Sequence, residues 1–103
     1  MLQAQLIAPR ELILRDVPVP KPRAGEVLVK VRVALTCGTD LKTYRRGHAK
    51  LPLGPFGHEG AGEIVAVGDG VEHLQVGQPV TWMPTAPCNE CLICLLYTSD
   101  AAD

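Results

Sequence analysis

A run of alternating residues constrains the fold of this chain more than any other feature. Residues 26–36 read EVLVKVRVALT, and four apolar members of the run share one face of an extended chain: Val27, Val29, Val31 and Val33. Lys30 and Arg32 share the other face. Alternation with a period of two predicts a half-buried β-strand, with its valine face against a core.

Shorter runs of β type occur on both sides of this strand. We predict further strands at 3–7, 11–15, 62–67 and 79–82. The segment before the long strand contains three prolines, which exclude it from a helix or a central strand. Gly68 and Gly70 favour a tight turn after the fourth run, because glycine adopts positive φ at little cost. Short strands separated in this way indicate an all-β domain.

Helical signal is confined to one short segment. We predict a helix at 39–46, with Thr39 as its N-cap, basic residues in its last turn and Gly47 ending it. The sequence contains no internal repeat and no second domain. The fold class that follows is a barrel-like arrangement of short strands with one short helix.

Size and charge exclude several function classes. The chain has 103 residues, is 47% hydrophobic and carries a net charge of -1, as expected for one globular domain. Its basic cluster of Lys42, Arg45 and Arg46 is too small to predict a nucleic-acid partner. No run approaches the roughly 18 apolar residues that cross a bilayer, and the first residues do not resemble a secretion signal. We therefore expect a cytoplasmic protein with a small-molecule partner and no membrane contact.

The four cysteines direct attention to metal binding. In a reducing compartment cysteines are more often metal ligands or free thiols than disulfides. Cys88, Cys91 and Cys94 have a CxxCxxC spacing, which lets a turn fold three thiolates around one ion. Three free surface thiols are the alternative interpretation, because a closed tetrahedral zinc site needs a fourth ligand.

A second candidate set lies earlier in the chain. Cys37 directly follows the long strand, and His58 and Glu59 lie in the glycine-rich sequence FGHEG. A thiolate, an imidazole and a carboxylate form a reasonable zinc set, and three protein ligands with one open position are typical of a catalytic site. A lone cysteine is otherwise often a small buried hydrophobe, and a loop histidine is often a surface residue.

Four motifs in this order make the chain resemble the medium-chain zinc-dependent alcohol dehydrogenases, in particular the polyol and threonine dehydrogenase-like branches. The motifs are TCGTD, GHEGAGEIVAVG, VGQPV and PCNECLIC, and the resemblance covers residues 1–93. It implies a GroES-like, partly open β-barrel that carries a catalytic zinc. It also implies a following Rossmann domain that binds NAD or NADP, before which this chain stops.

The resemblance assigns roles to individual residues. It implies that Cys37 and His58 are zinc ligands and that Glu59 is a third ligand or a carboxylate next to the site. Thr39 resembles the residue that relays the alcohol proton, and Asp40 the carboxylate that orients the zinc-bound histidine. Gly38 and Thr39 would lie near the nicotinamide ring. The implied reaction is hydride transfer from an alcohol or polyol to NAD or NADP, in a homo-oligomeric parent enzyme.

The last ten residues, CLLYTSDAAD, differ from the rest. They lack strand alternation and resemble the translation of a transposon adapter used in preparing sequencing libraries. We therefore interpret 1–93 as an incomplete dehydrogenase domain and 94–103 as a non-native tail that includes Cys94. The family's next cysteine would fall at position 102, which is Ala102.

Two further expectations follow from these interpretations. We expect the fragment to be inactive alone and poorly stable, because strands beyond residue 93 and the Rossmann domain would cover its edges and apolar surface. The alternative function is a non-catalytic zinc-binding or co-chaperonin-like β-barrel module. Wide separation of Cys37, His58 and Glu59 in space would favour that alternative.

Overall fold

A computed structural model describes residues 1–48, 53–84 and 86–96. The described chain contains six strands: β1 (Leu2–Ala8), β2 (Glu11–Asp16), β3 (Val27–Leu35), β4 (Gly54–Pro55), β5 (Glu59–Val67) and β6 (Pro79–Thr81). It also contains two helices: α1 (Gly38–Arg46) and α2 (Leu92–Leu96). The strands form two three-stranded sheets, in the orders β2-β1-β4 and β3-β5-β6. All neighbouring strands are antiparallel.

The predicted architecture is confirmed. The five predicted strands are present, the 39–46 helix is present, and the sheets do not close into a barrel within the described ranges. The two-residue strand β4 was not predicted, because a Gly-Pro pair carries no alternation. The second helix, α2, is one turn long and includes Cys94, the first residue of the predicted tail. Most of that tail, 97–103, lies outside the described residues.

Strands β3 and β5 form the longest strand pairing among the described residues, and the register of this pairing shifts at two places. Val31 pairs with Gly62 and Val33 with Ala61, so Arg32 is an extra residue in β3. Such a β-bulge interrupts strict alternation and bends the strand. The predicted valine face is accordingly half buried at Val27 and Val29, whereas Val31 and Val33 are more than half exposed.

Two glycines of β5 allow close packing. A Cβ atom at Gly62 would overlap the backbone carbonyl oxygen of Lys30 on β3. A Cβ atom at Gly60 would lie 2.5 Å from the indole ring of Trp82. The indole therefore lies directly over Gly60, and the Thr81 hydroxyl donates to the Gly60 carbonyl oxygen at 2.9 Å beside it. This packing fixes the chain after β6 against the start of β5.

Gly60→Ala is expected to displace the Trp82 indole from β5. Because Trp82 is the sole tryptophan, the fluorescence emission of the folded variant should shift to longer wavelength as the ring becomes more hydrated. Gly38→Ala is the matched control, because a Cβ atom there has no heavy atom within 4 Å. Unchanged emission from a folded Gly60→Ala variant would contradict this packing.

The core of the described chain is small. Leu6 of β1 and Ile64 of β5 are its buried large apolar side chains, and Ile64 is fully buried. Many other large apolar side chains are exposed, among them Leu2, Leu14, Val31, Val33, Leu35 and Met83. None of the described helices is long and apolar enough to span a membrane. Exposed apolar surface on this scale is unusual for an independently stable domain.

The metal-free chain is therefore expected to unfold without a sharp cooperative transition and to aggregate. Its exposed sheet faces should also bind the dye ANS at room temperature, because that dye reports accessible apolar surface. Circular dichroism during heating and ANS fluorescence test both expectations. A steep thermal transition with negligible ANS binding would show that this small core is sufficient to stabilise the fold of the metal-free chain.

Candidate metal centre

Strand register brings the candidate ligands together. Leu35, the last residue of β3, pairs with Glu59, the first residue of β5. The chain just beyond β3 therefore runs beside the chain just before β5, and these short segments contain Cys37 and His58. Gly57 supplies the bend that leads into β5, with a φ of 103°, a left-handed conformation that other residues rarely adopt. A spacing of 21 residues in sequence thus becomes a side-chain contact.

Helix α1 positions the thiol. Cys37 is the N-cap residue, with extended backbone angles, and its N–H donates to Asp40 Oδ2 at 3.0 Å. This hydrogen bond ties the residue before the helix to the first helical turn and supplies one of the acceptors that a helix N-terminus requires. The Cys37 side chain consequently leaves the helix end in a fixed direction, toward β5.

Asp40 also orients the imidazole. Its Oδ1 atom lies 3.0 Å from His58 Nδ1, and the carboxylate is buried. Because a carboxylate only accepts hydrogen bonds, Nδ1 is the donor in this contact. The other ring nitrogen, Nε2, then presents its lone pair on the opposite side of the ring. Asp40 therefore determines which nitrogen of His58 can bind a metal.

Three donor atoms converge on that opposite side. His58 Nε2 lies 3.3 Å from Cys37 Sγ and 3.9 Å from Glu59 Oε1. The ligand atoms of the three residues all lie within 4.8 Å of one another, and each side chain is partly buried. Sulfur, imidazole nitrogen and carboxylate oxygen are the donors that zinc prefers, and three of them leave one coordination position free. The donor set therefore fits zinc in an open site.

Two cavities flank this cluster. A cavity of about 230 Å³ is lined by His58, Thr39, Asp40, Thr43, Leu6 and the 54–57 segment. A second cavity of about 350 Å³ is lined by Glu59, Gly60, Trp82, Met83 and residues of β3. Trp82 and Met83 were not predicted as site residues, because nothing in their local pattern shows that the chain after β6 returns to the cluster. Thr39 shares a cavity with His58, and Gly38 is exposed at the start of α1.

The second predicted cluster also forms. The Sγ atoms of Cys88, Cys91 and Cys94 lie within 4.8 Å of one another. The Cys88 and Cys94 sulfurs are 3.7 Å apart, and the Cys91 N–H donates to Cys88 Sγ at 3.3 Å. Hydrogen bonds from the backbone of Glu90 and Cys91, with contacts from the other two thiols, lower the pKa of Cys88 from 9.0 to about 7.

Alkylation of the metal-free chain should reveal this lowered pKa. The thiolate is the reactive form, so a lowered pKa makes Cys88 reactive at lower pH. Cys88 modification by iodoacetamide should reach half its maximal rate at about pH 7 in the folded chain, and near 9.0 in denaturant. Mass spectrometry of the modified peptide, measured from pH 5 to 10, gives both midpoints. Equal midpoints would contradict the hydrogen-bonded arrangement.

Comparison with known proteins identifies the family of this chain. The family model for the alcohol dehydrogenase GroES-like domain matches residues 23–102. The chain belongs to this family. The resemblance to medium-chain zinc-dependent dehydrogenases is thereby confirmed, and so is the GroES-like assignment of the fold.

Curated relatives of this GroES-like domain include several dehydrogenases. L-threonine 3-dehydrogenase of Thermococcus kodakarensis is 46% identical over 85 residues, which cover 79% of this chain and 24% of that protein. Sorbitol dehydrogenase of Bombyx mori is 38% identical over 95 residues, which cover 88% of this chain and 27% of that protein. The chain thus spans about a quarter of the length of these relatives.

Solved structures agree with the sequence comparison. The alcohol dehydrogenase rspB from Escherichia coli CFT073, complexed with NADH, superposes with a TM-score of 0.81 at 40% identity and covers 93% of this chain and 28% of that chain. Alcohol dehydrogenase TADH from Thermus sp. ATN1 gives a TM-score of 0.80 at 30% identity, covering 98% of this chain and 30% of that chain. The GroES-like domain described above is therefore the shared part.

Proposed function

We propose that this chain is the metal-binding part of an alcohol or polyol dehydrogenase that depends on zinc and on NAD or NADP. The observation that carries the proposal is the convergence of Cys37, His58 and Glu59 within 4.8 Å beside the buried Asp40 carboxylate. Structural clusters normally use four ligands, whereas three ligands of mixed type suit a metal that must also bind a reactant.

Cys37, His58 and Glu59 would hold the zinc ion. When bound there, zinc supplies Lewis acidity toward an alcohol oxygen. The nicotinamide supplies the hydride acceptor, and most of its binding site would belong to parts of the protein outside this chain. The NADH complex of the E. coli relative supports this choice of cofactor.

Other residues of the chain would position the zinc ligand, transfer the alcohol proton and lie near the nicotinamide. Asp40 keeps the proton of His58 on Nδ1, so that Nε2 stays available as a ligand atom. Thr39 would accept the alcohol proton at its hydroxyl oxygen and pass its own proton on, which its place in the cavity beside His58 supports. Gly38 and the Thr39 backbone would lie near the nicotinamide. The apolar walls of both cavities would exclude water around the cluster.

The proposed substrate is a small alcohol or polyol. The relatives are named for substrates as different as threonine, sorbitol and S-(hydroxymethyl)glutathione, which supports a class of substrate rather than one compound. We further propose a cytoplasmic, homo-oligomeric parent enzyme and an inactive isolated fragment. Wide separation of Cys37, His58 and Glu59 would have favoured the alternative function, a non-catalytic zinc-binding or co-chaperonin-like module. Their proximity supports the dehydrogenase instead.

A chimera tests the proposal. The segment of the Thermococcus threonine dehydrogenase that matches this chain is replaced by residues of this chain, and alcohol-dependent reduction of NAD is measured with and without zinc. We expect zinc-dependent turnover that His58→Ala abolishes and that His73→Ala, a change at an exposed histidine, preserves. A folded chimera that binds zinc and NADH, yet is no more active than its His58→Ala variant toward any alcohol tested, would refute the proposal.

A further inference from the structure

The cavity beside helix α1 is lined by two threonines, of which the proposed reaction uses only one. Thr39 and Thr43 both border this cavity of about 230 Å³, together with His58. Because they are four residues apart in α1, their side chains lie on the same helix face, with Cβ atoms about 5–6 Å apart. Thr43 is half-buried. The role given to Thr39 in proton transfer leaves the Thr43 hydroxyl without a function.

The Thr43 hydroxyl is available to a ligand. A threonine inside a helix often donates a hydrogen bond to the backbone carbonyl four residues earlier. Within residues 1–48, 53–84 and 86–96, however, neither Thr39 nor Thr43 forms a side-chain hydrogen bond. A hydroxyl without a protein partner can both donate to and accept from a molecule in the cavity. The cavity therefore offers two hydroxyls, one helical turn apart, to whatever occupies it.

The rest of the lining selects the kind of ligand. Leu6 and Phe56 supply apolar surface, which suits the carbon atoms of a small molecule. The Asp40 carboxylate also borders the cavity, and both of its oxygens already accept hydrogen bonds, from the Cys37 N–H and from His58 Nδ1. No lysine or arginine of the described ranges lines the cavity. A carboxylate or phosphate would therefore face the Asp40 charge without a cationic side chain to pair with, and a neutral ligand is favoured.

We propose that Thr43 binds a second hydroxyl of the substrate and makes the site selective for neutral diols and polyols over simple alcohols. The inference rests on the proposed dehydrogenase function, because it takes the reacting hydroxyl to lie beside Thr39. Each hydrogen bond adds about 2.8 Å, so hydroxyls on neighbouring carbons can reach both threonines. A simple alcohol leaves the Thr43 hydroxyl unpaired in the cavity, which disfavours its binding relative to a diol.

Two four-carbon substrates that differ by one hydroxyl, 2-butanol and 2,3-butanediol, test the proposal in the chimera described above. Thr43→Val removes the hydroxyl and keeps the branched shape of the side chain. We expect it to lower kcat/KM for 2,3-butanediol by about 3- to 10-fold, mainly by raising KM, because the second hydroxyl does not react and is bound equally before and during the reaction. For 2-butanol, kcat/KM should change by less than about twofold. Thr43→Ser keeps a hydroxyl and should retain the preference for the diol.

Thr36→Val is the matched control, because Thr36 is an exposed threonine that lines neither cavity. Its ratio of kcat/KM for 2,3-butanediol to that for 2-butanol should equal the ratio of the unmodified chimera. If Thr43→Val does not fold, Thr43→Ala provides a second variant without the hydroxyl and should lower the ratio in the same way, since alanine favours the helix.

An unchanged ratio in a folded Thr43→Val or Thr43→Ala chimera, or equal losses with both substrates, would overturn the inference and leave the dehydrogenase proposal standing. Loss of the diol preference in Thr43→Ser would also overturn it, because the hydroxyl is still present in that variant. A folded chimera that binds zinc and NADH but oxidises neither substrate would refute the proposed function, and this inference with it.

Discussion

Replacing Asp40 with asparagine is expected to weaken zinc binding at the Cys37, His58 and Glu59 cluster by about 10- to 100-fold. Asp40 accepts two hydrogen bonds, from the Cys37 N–H and from His58 Nδ1, both at 3.0 Å. Asparagine has one acceptor oxygen and one NH₂ group. If the oxygen keeps the helix contact, the NH₂ group faces Nδ1 and moves the ring proton to Nε2, the nitrogen that must bind the metal.

Competition with a zinc chelator measures this effect. All variants carry Cys88→Ser, Cys91→Ser and Cys94→Ser, so that only the candidate catalytic cluster competes for zinc. Glu63→Gln is the matched control, because it neutralises a partly exposed carboxylate that pairs with Arg32 away from the cluster. Its zinc affinity should be unchanged. Equal affinities for Asp40→Asn and Glu63→Gln would show that Asp40 does not orient the ligand.

Ile64→Ala is expected to destabilise the β3-β5-β6 sheet by about 2–5 kcal/mol. Ile64 is completely buried and pairs with Val29 of β3, beside the register shift between Leu28 and Val29. Removing its side chain leaves a cavity in a core that holds few other buried residues. The amide of Gly77, which donates to the Ile64 carbonyl oxygen at 2.8 Å, should then exchange its hydrogen much faster.

Hydrogen exchange followed by NMR or mass spectrometry suits this measurement, because it needs no cooperative unfolding transition. Val65→Ala is the matched control: Val65 is the next residue of β5, and its side chain is 41% exposed. Its substitution should change protection at Gly77 by less than about 1 kcal/mol. Similar losses of protection in the two variants would show that the Ile64 side chain does not form the core of this sheet.

Local sequence pattern predicted most of the fold. Alternation in 26–36 predicted β3, and Gly47 correctly predicted the end of α1. These features depend on neighbours in sequence, which is why they could be predicted. The predicted N-cap, Thr39, was wrong: the helix begins at Gly38 and its N-cap is Cys37, whose backbone N–H is held by the Asp40 carboxylate. The Arg32 bulge and the two-residue strand β4 depend on partner strands, and their residues carry no local signal of either.

The residues of the candidate site could be predicted from the sequence, but the distances between them could not. Residue type and the family resemblance selected Cys37, His58 and Glu59, and the structure brings them together. Their separation by 21 residues carried no distance information until the Leu35–Glu59 pairing set the register. The cavity walls formed by Trp82 and Met83 were not predicted, because they arise from the indole resting on Gly60, a contact between segments distant in sequence.

Zinc K-edge X-ray absorption on the zinc-loaded chain tests for a metal centre at Cys37, His58 and Glu59. With Cys88, Cys91 and Cys94 changed to serine, we expect one zinc per chain, with a single sulfur neighbour at about 2.3 Å and nitrogen or oxygen ligands otherwise. His58→Ala in the same background should reduce the bound zinc. A folded chain that retains no zinc, or zinc bound without sulfur, would contradict a metal centre built from Cys37, His58 and Glu59.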